Sequence, residues 1–133
     1  MSAGKVVRKW LDRVSKGDGP GALDLFADDV EYILQGSTPV SGTYHGKQSV
    51  VDDFFVPWRK QIDGEIVLDV SEVFSQGNTG IVLCAGTAKT VFGLDYNPNY
   101  CFVFRVDGEN ITHVNEFLDT AMAETAAYGK TLA

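Results

Sequence analysis

The second half of this chain is a succession of strand-like runs joined by tight turns, and that pattern narrows the possible folds more than any other feature. Glu65 to Phe74 alternates and is rich in β-branched residues. Thr79 to Phe92 follows the turn Gln76-Gly77-Asn78. Tyr100 to Val106 is aromatic and β-branched, as strands prefer. Asp107-Gly108 is a strong hairpin signal, and Ile111 to Leu118 returns from it. Runs of strands joined this way predict an antiparallel sheet with helices on one face, an α+β architecture.

The first half supplies the helices. Val6, Val7, Trp10, Leu11 and Val14 recur at helical spacing between Lys5 and Lys16. Gly17 is a natural stop, and Asp18 caps a short second helix with Pro20 in its first turn. Val30 to Leu34 reads as a strand, and Gly36, Ser37, Pro39 and Gly42 mark irregular chain after it. Lys47 to Ile62 predicts a third helix, with Val50, Phe54, Trp58 and Ile62 four apart on one face. Pro57 should kink it or end its first part. Thr120 to Tyr128 predicts a final helix.

With 133 residues the chain makes one domain, 1–133, large enough to fold without disulfides or metal. Its 11 basic and 18 acidic residues give a net charge of −7, which disfavours nucleic acid and anionic membrane surfaces as partners. No run approaches the about 20 apolar residues of a membrane span, and the first residues lack the apolar run of a signal peptide. These features predict a cytoplasmic protein. Cys84 and Cys101 lie in apolar strand-like runs and read as small hydrophobes, not as a redox pair.

The sequence contains no dinucleotide-binding or phosphate-binding glycine loop, no H-E-x-x-H and no G-x-S-x-G. His45 and His113 are its only histidines, and no zinc-ligand spacing is recognisable. The expectation is a protein without metal or cofactor. What remains is carboxylates among aromatics. In His113-Val114-Asn115-Glu116-Phe117-Leu118-Asp119, residues 114, 116 and 118 share one strand face. If Val114 and Leu118 face the core, Glu116 goes with them, and loss of hydration raises its proton affinity. That is one route to a general acid or base near neutral pH. The alternative is a solvated or ion-paired Glu116. Asp119 has a plain structural reading as the N-cap of the last helix. Strand parity puts it opposite Glu116, so both reach one cavity only if the strand ends or bends between them.

Several segments together resemble the nuclear-transport-factor-2-like superfamily. They are Val7 to Asp18, Leu25-Phe26-Ala27-Asp28-Asp29-Val30, and Ser41-Gly42 to Gly46 leading into a helix. Phe102 to Gly108, then Ile111 and Glu116-Phe117-Leu118-Asp119-Thr120, resemble the C-terminal hairpin of its SnoaL-like branch. The resemblance implies a cone: a curved antiparallel sheet wrapped around N-terminal helices, with an apolar pocket at the wide end. It also implies a homodimer through the outer sheet face, where Val103, Arg105, His113 and Asn115 would lie.

The positions that look like the ketosteroid isomerase groups are Trp10, Phe102 and Leu34, and none has the required chemistry, which argues against that activity. In SnoaL-type cyclases an acidic residue after the last strand is the general acid/base, and Asp119 looks like its counterpart. The implied function is carboxylate acid/base chemistry (isomerisation, cyclisation or dehydration) by Asp119 or Glu116 on an apolar cyclic or polyketide-like molecule. The implied walls are Trp10 and Val14 of the first helix, Tyr32 and Leu34 of the first strand, and Phe54 and Trp58 of the third helix. Phe102, Phe104 and Val114 of the last hairpin complete them. The alternative is a non-catalytic module of the same fold that binds an apolar ligand or dimerises.

Overall fold

The computed structural model describes residues 2–132. Helix α1 (Ala3–Ser15) begins at Ser2, whose hydroxyl accepts from the Lys5 backbone N–H at 3.3 Å. It ends before Gly17, which adopts the positive φ that glycine accommodates without strain. Its apolar stripe buries Val6, Val7, Trp10 and Leu11. Fully burying side chains of this kind contributes about 1.5–3 kcal/mol each. Helix α2 (Gly19–Leu23) is capped by Asp18, whose carboxylate accepts from the Gly21 N–H at 2.9 Å.

Strand β1 (Phe26–Leu34) is followed by a short strand, β2 (Gly42–His45). The segment expected as one helix from Lys47 to Ile62 is α3, residues 47–59, and it changes pitch twice. An α-helical turn (Lys47–Ser49) leads into a π-helical stretch (Val50–Phe55) and then back to α-helix (Val56–Arg59). Pro57 explains where the change falls. It has no N–H to donate to Asp53, and its ring crowds that carbonyl, so a wider turn just before it relieves the clash. The wider turn also brings the consecutive residues Phe54 and Phe55 to the same interior space.

The long strands are β3 (Ile62–Gln76), β4 (Thr79–Thr90), β6 (Asn99–Asp107) and β7 (Asn110–Phe117), with a two-residue strand β5 (Asp95–Tyr96) beside β4. The last helix, α4 (residues 120–127), starts as α-helix (Thr120–Met122) and continues as π-helix (Ala123–Ala127). The sheet order is β2-β1-β7-β6-β4-β3.

One pairing departs from the expected antiparallel sheet. β1 runs parallel to β7, with Tyr32 opposite Val114 and Leu34 opposite Glu116. The connection between them carries α3 and three long strands, so no tight turn dictates their direction. The sheet is therefore mixed. Bulges in β3 and β7 help it curl around α1 into a cone. Gly80 lets α1 approach β4 closely, since a Cβ there would lie 2.9 Å from a Val7 methyl.

The concave face carries an aromatic core. Trp10 lies 5.3 Å from Phe104 and 6.0 Å from Phe102, and Tyr100 stacks on Phe102 at 5.3 Å. A smaller cluster of Ile62, Ala88, Tyr96, Ala123 and Ala126 closes the other end, and Trp58 packs against both. Among the described residues no helix is long and apolar enough to cross a membrane.

Candidate active site

A cavity of about 550 Å³ opens between the concave sheet face, α1, α2 and α3. Most of its wall is apolar: Trp10, Val14, Phe26, Phe54, Phe55, Trp58, Ile66, Leu68 and Phe102. Two hydroxyl-bearing rings, Tyr32 and Tyr100, interrupt it, and Glu116 lies on its floor. The exposed lining residues, among them Gly17, Gly19, Pro20, Arg59 and Glu65, mark the mouth.

The strand register explains the position of Glu116. It lies directly between Leu34 of β1 and Phe102 of β6, both inward-facing. A carboxylate in that row must point inside. Only 7% of its surface is exposed, and the other buried polar side chains among the described residues are the threonines Thr38 and Thr90. The Tyr32 hydroxyl donates to Glu116 Oε1 from the neighbouring strand. Oε2 has no hydrogen-bond partner among the described residues.

Burial dominates the protonation of this group. Loss of hydration raises the Glu116 carboxyl to about 7, and the Tyr32 bond opposes that rise without cancelling it. The same burial, with the Glu116 charge beside it, raises the Tyr32 hydroxyl well above its ordinary value. Tyr32 is therefore a hydrogen-bond donor at any physiological pH. The Tyr100 hydroxyl is likewise raised by burial and lies 3.4 Å from that of Tyr96. A buried acid that titrates near neutrality, beside an apolar space and two neutral phenols, can accept a proton and return it.

The predicted site residues separate into groups. Trp10, Val14, Tyr32, Phe54, Trp58, Phe102 and Glu116 meet around the one cavity. Leu34 lies behind it, on a minor void that it shares with Leu118 and Glu116. Phe104 and Val114 are packed into the core away from the cavity wall, because their inward positions lie beneath α1. Asp119 is outside the cavity. Strand β7 ends at Phe117, the chain turns, and the exposed Asp119 carboxylate accepts from the Met122 N–H at 3.0 Å as the cap of α4.

Sequence reasoning missed Phe26, Phe55, Ile66 and Leu68 as wall residues, and Arg59 and Glu65 at the mouth. The consecutive Phe54-Phe55 before Pro57 was the available signal for the first helix-borne addition. Among the described residues no group of three or more His, Cys, Asp or Glu side chains could hold a metal ion.

Comparison with protein families gives a match to the SnoaL-like domain over residues 7–114. The chain belongs to the SnoaL-like domain family. Comparison with curated proteins finds no match. Solved structures of the same fold are numerous. An NTF2-like protein from Burkholderia thailandensis superposes with a TM-score of 0.86 at 20% identity, covering 95% of this chain and 97% of that one. TerC, co-crystallised with polyporic acid, superposes with a TM-score of 0.83 at 17% identity over 96% of this chain and 99% of its own. A protein from Catenulispora acidiphila with a ketosteroid isomerase-like fold, in complex with trimethylamine, gives 0.77 at 13% identity over 96% and 97%. At these identities the likeness establishes the shared SnoaL-like fold and leaves the chemistry to the residues of the site.

Proposed function

We propose that this SnoaL-like protein is an acid/base enzyme that moves a proton on an apolar cyclic or polyketide-like carbonyl compound, with Glu116 as the proton carrier. The observation that carries this reading is the solitary carboxylate on the floor of an apolar cavity, fixed by Tyr32 through one oxygen and unbonded at the other. The carboxylate form takes a proton from the carbon beside the carbonyl. The negative charge moves to the carbonyl oxygen, where the Tyr100 hydroxyl, on the same cavity wall, donates after giving up its long bond to the Tyr96 hydroxyl. Glu116 then returns the proton to carbon or to a departing oxygen. The apolar wall excludes water and keeps the carboxylate basic. TerC co-crystallised with polyporic acid, and the Catenulispora protein in complex with trimethylamine, support a ligand-holding role for this fold.

The outer sheet face supports pairing with a second copy of the chain. Phe117, Cys101 and Leu83 are cross-strand neighbours on β7, β6 and β4, so their side chains form one row across that face. Ile81 and Phe74 extend the patch onto the next row. Exposed contiguous apolar surface of this kind marks an interaction site.

A test of the chemistry needs no knowledge of the natural product. Exchange of the α-protons of 2-tetralone with deuterium oxide, followed by NMR, reports proton abstraction directly. The native protein should accelerate it, and Glu116→Gln should abolish the acceleration. Equal acceleration by both proteins would remove Glu116 from the reaction.

A further inference from the structure

The mouth of the cavity carries charge that the acid/base reading does not use. Arg59, at the end of α3, and Glu65, near the start of β3, both line it and both are exposed. They do not neutralise each other. The ion pairs among the described residues are Lys16–Asp12, Lys47–Asp28, Lys89–Asp95 and Lys130–Glu124, and Arg59 is in none. The Glu65 carboxylate instead lies beside Gly17, one of its oxygens 3.7 Å from the position of a Cβ there. Arg59 is the sole cationic side chain of the described lining. It directly follows Trp58 in α3, and both residues line the cavity.

We infer that Arg59 binds an acidic substituent of the substrate, so that the cavity takes an apolar ring compound bearing a carboxylate at the end opposite the reacting carbonyl. This rests on the reading of the cavity as a substrate site. A planar guanidinium recognises a carboxylate through two parallel hydrogen bonds, and the apolar wall beside it weakens competition from water. A carboxylate could not be held at the floor, where Glu116 would repel it. The charges therefore orient the substrate, with its acidic end outward and its proton-bearing carbon inward. Glu65, beside Gly17 at the mouth, opposes an anion that enters along that side.

The experiment compares 2-naphthoate with 2-naphthamide, which share ring and shape and differ in charge. Affinities are measured by calorimetry at about pH 8 and low salt, where Glu116 is ionised and repels an acid from the floor. Native protein should prefer naphthoate by about five- to tenfold, as expected for a charge-assisted contact. Arg59→Gln should erase the preference without weakening naphthamide, and Arg59→Lys should keep part of it. Glu65→Gln should strengthen naphthoate alone, and added salt should shrink the preference. Equal binding of the two compounds by native protein overturns the role of Arg59 and leaves the cavity reading standing. A preference that survives Arg59→Gln does the same. Failure of both compounds to bind overturns the cavity reading and this inference with it.

Discussion

On its inner face β7 buries Val114 and Glu116, and on its outer face, one residue further along, it leaves Phe117 43% exposed. The ordinary arrangement is the reverse, with apolar residues inside and charged residues in water. Each inversion has its own physical cost. The inner one withdraws a carboxylate from water, and the protein answers with a single tyrosine hydroxyl and a shifted titration. The outer one leaves a phenyl ring in solvent, in a row with Cys101 and Leu83 that continues across two more strands. A strand that carries both departures matches the two proposed roles, proton transfer on one side and association on the other.

Breaking the inner side should produce the largest effect. Glu116→Gln keeps volume and can still accept from Tyr32, but it cannot carry the proton, so turnover should fall by roughly 100- to 10,000-fold. The same variant should change stability. Because folding raises the Glu116 carboxyl from 4.5 to about 7, its contribution is fully present below pH 4.5 and is lost as pH rises through 7. The native protein should therefore lose about 3 kcal/mol over that window from this group alone. Urea titrations at pH 4.5 and 8 should show the loss in the native protein and not in Glu116→Gln. Parallel pH dependence in the two would contradict a buried, titrating Glu116.

Breaking the outer side comes next. Leu83→Lys and Phe117→Lys place like charges in the apolar row without touching the cavity, and should convert a dimer to monomers in sedimentation at tens of micromolar. A native protein that already sediments as a monomer there would dispose of the dimer. Tyr32→Phe sharpens the inner side. It removes the bond that lowers the Glu116 value, so the acidic limb of the pH–rate profile, where the carboxylate form is lost, should move to higher pH. An unmoved limb would detach that limb from Glu116.

The smallest effects belong to Asp119. Asp119→Ala should cost about 1 kcal/mol as a lost helix cap, and Asp119→Asn should be near neutral in stability and in rate. A large rate loss in Asp119→Asn would return the proton-carrying role to that residue.

Local chemistry was the readable part of this molecule. Asp107-Gly108 announced the β6–β7 hairpin, Asp18 and Asp119 announced their caps, and the inward parity of Glu116 followed from its apolar neighbours Val114 and Leu118. What depended on distant pairing was not readable. Nothing in Val30 to Leu34 states that it runs parallel to β7, and without that register the Tyr32–Glu116 bond cannot be deduced. β2 has four residues at the sheet edge, too few for a periodic signal. Pro57 signalled a disturbance in α3, but whether a kink or a wider turn results depends on what packs against Phe54 and Phe55.

The pairing of β1 with β7 also dictates when the site comes into being. Tyr32 and Glu116 are 84 residues apart in sequence. A ribosome adds roughly 5–20 residues per second, so β1 waits several seconds after its own synthesis for the neighbour that completes it. Through that interval α1, β1 and β2 can associate, but the β1 edge facing the future β7 has unpaired backbone groups, and Val30, Tyr32 and Leu34 lack cover on that side. An open edge of this kind invites pairing with another nascent chain. Closure of the sheet is thus the late, long-range step of folding, and a chain stalled before β7 is exposed to aggregation when it also lacks Glu116.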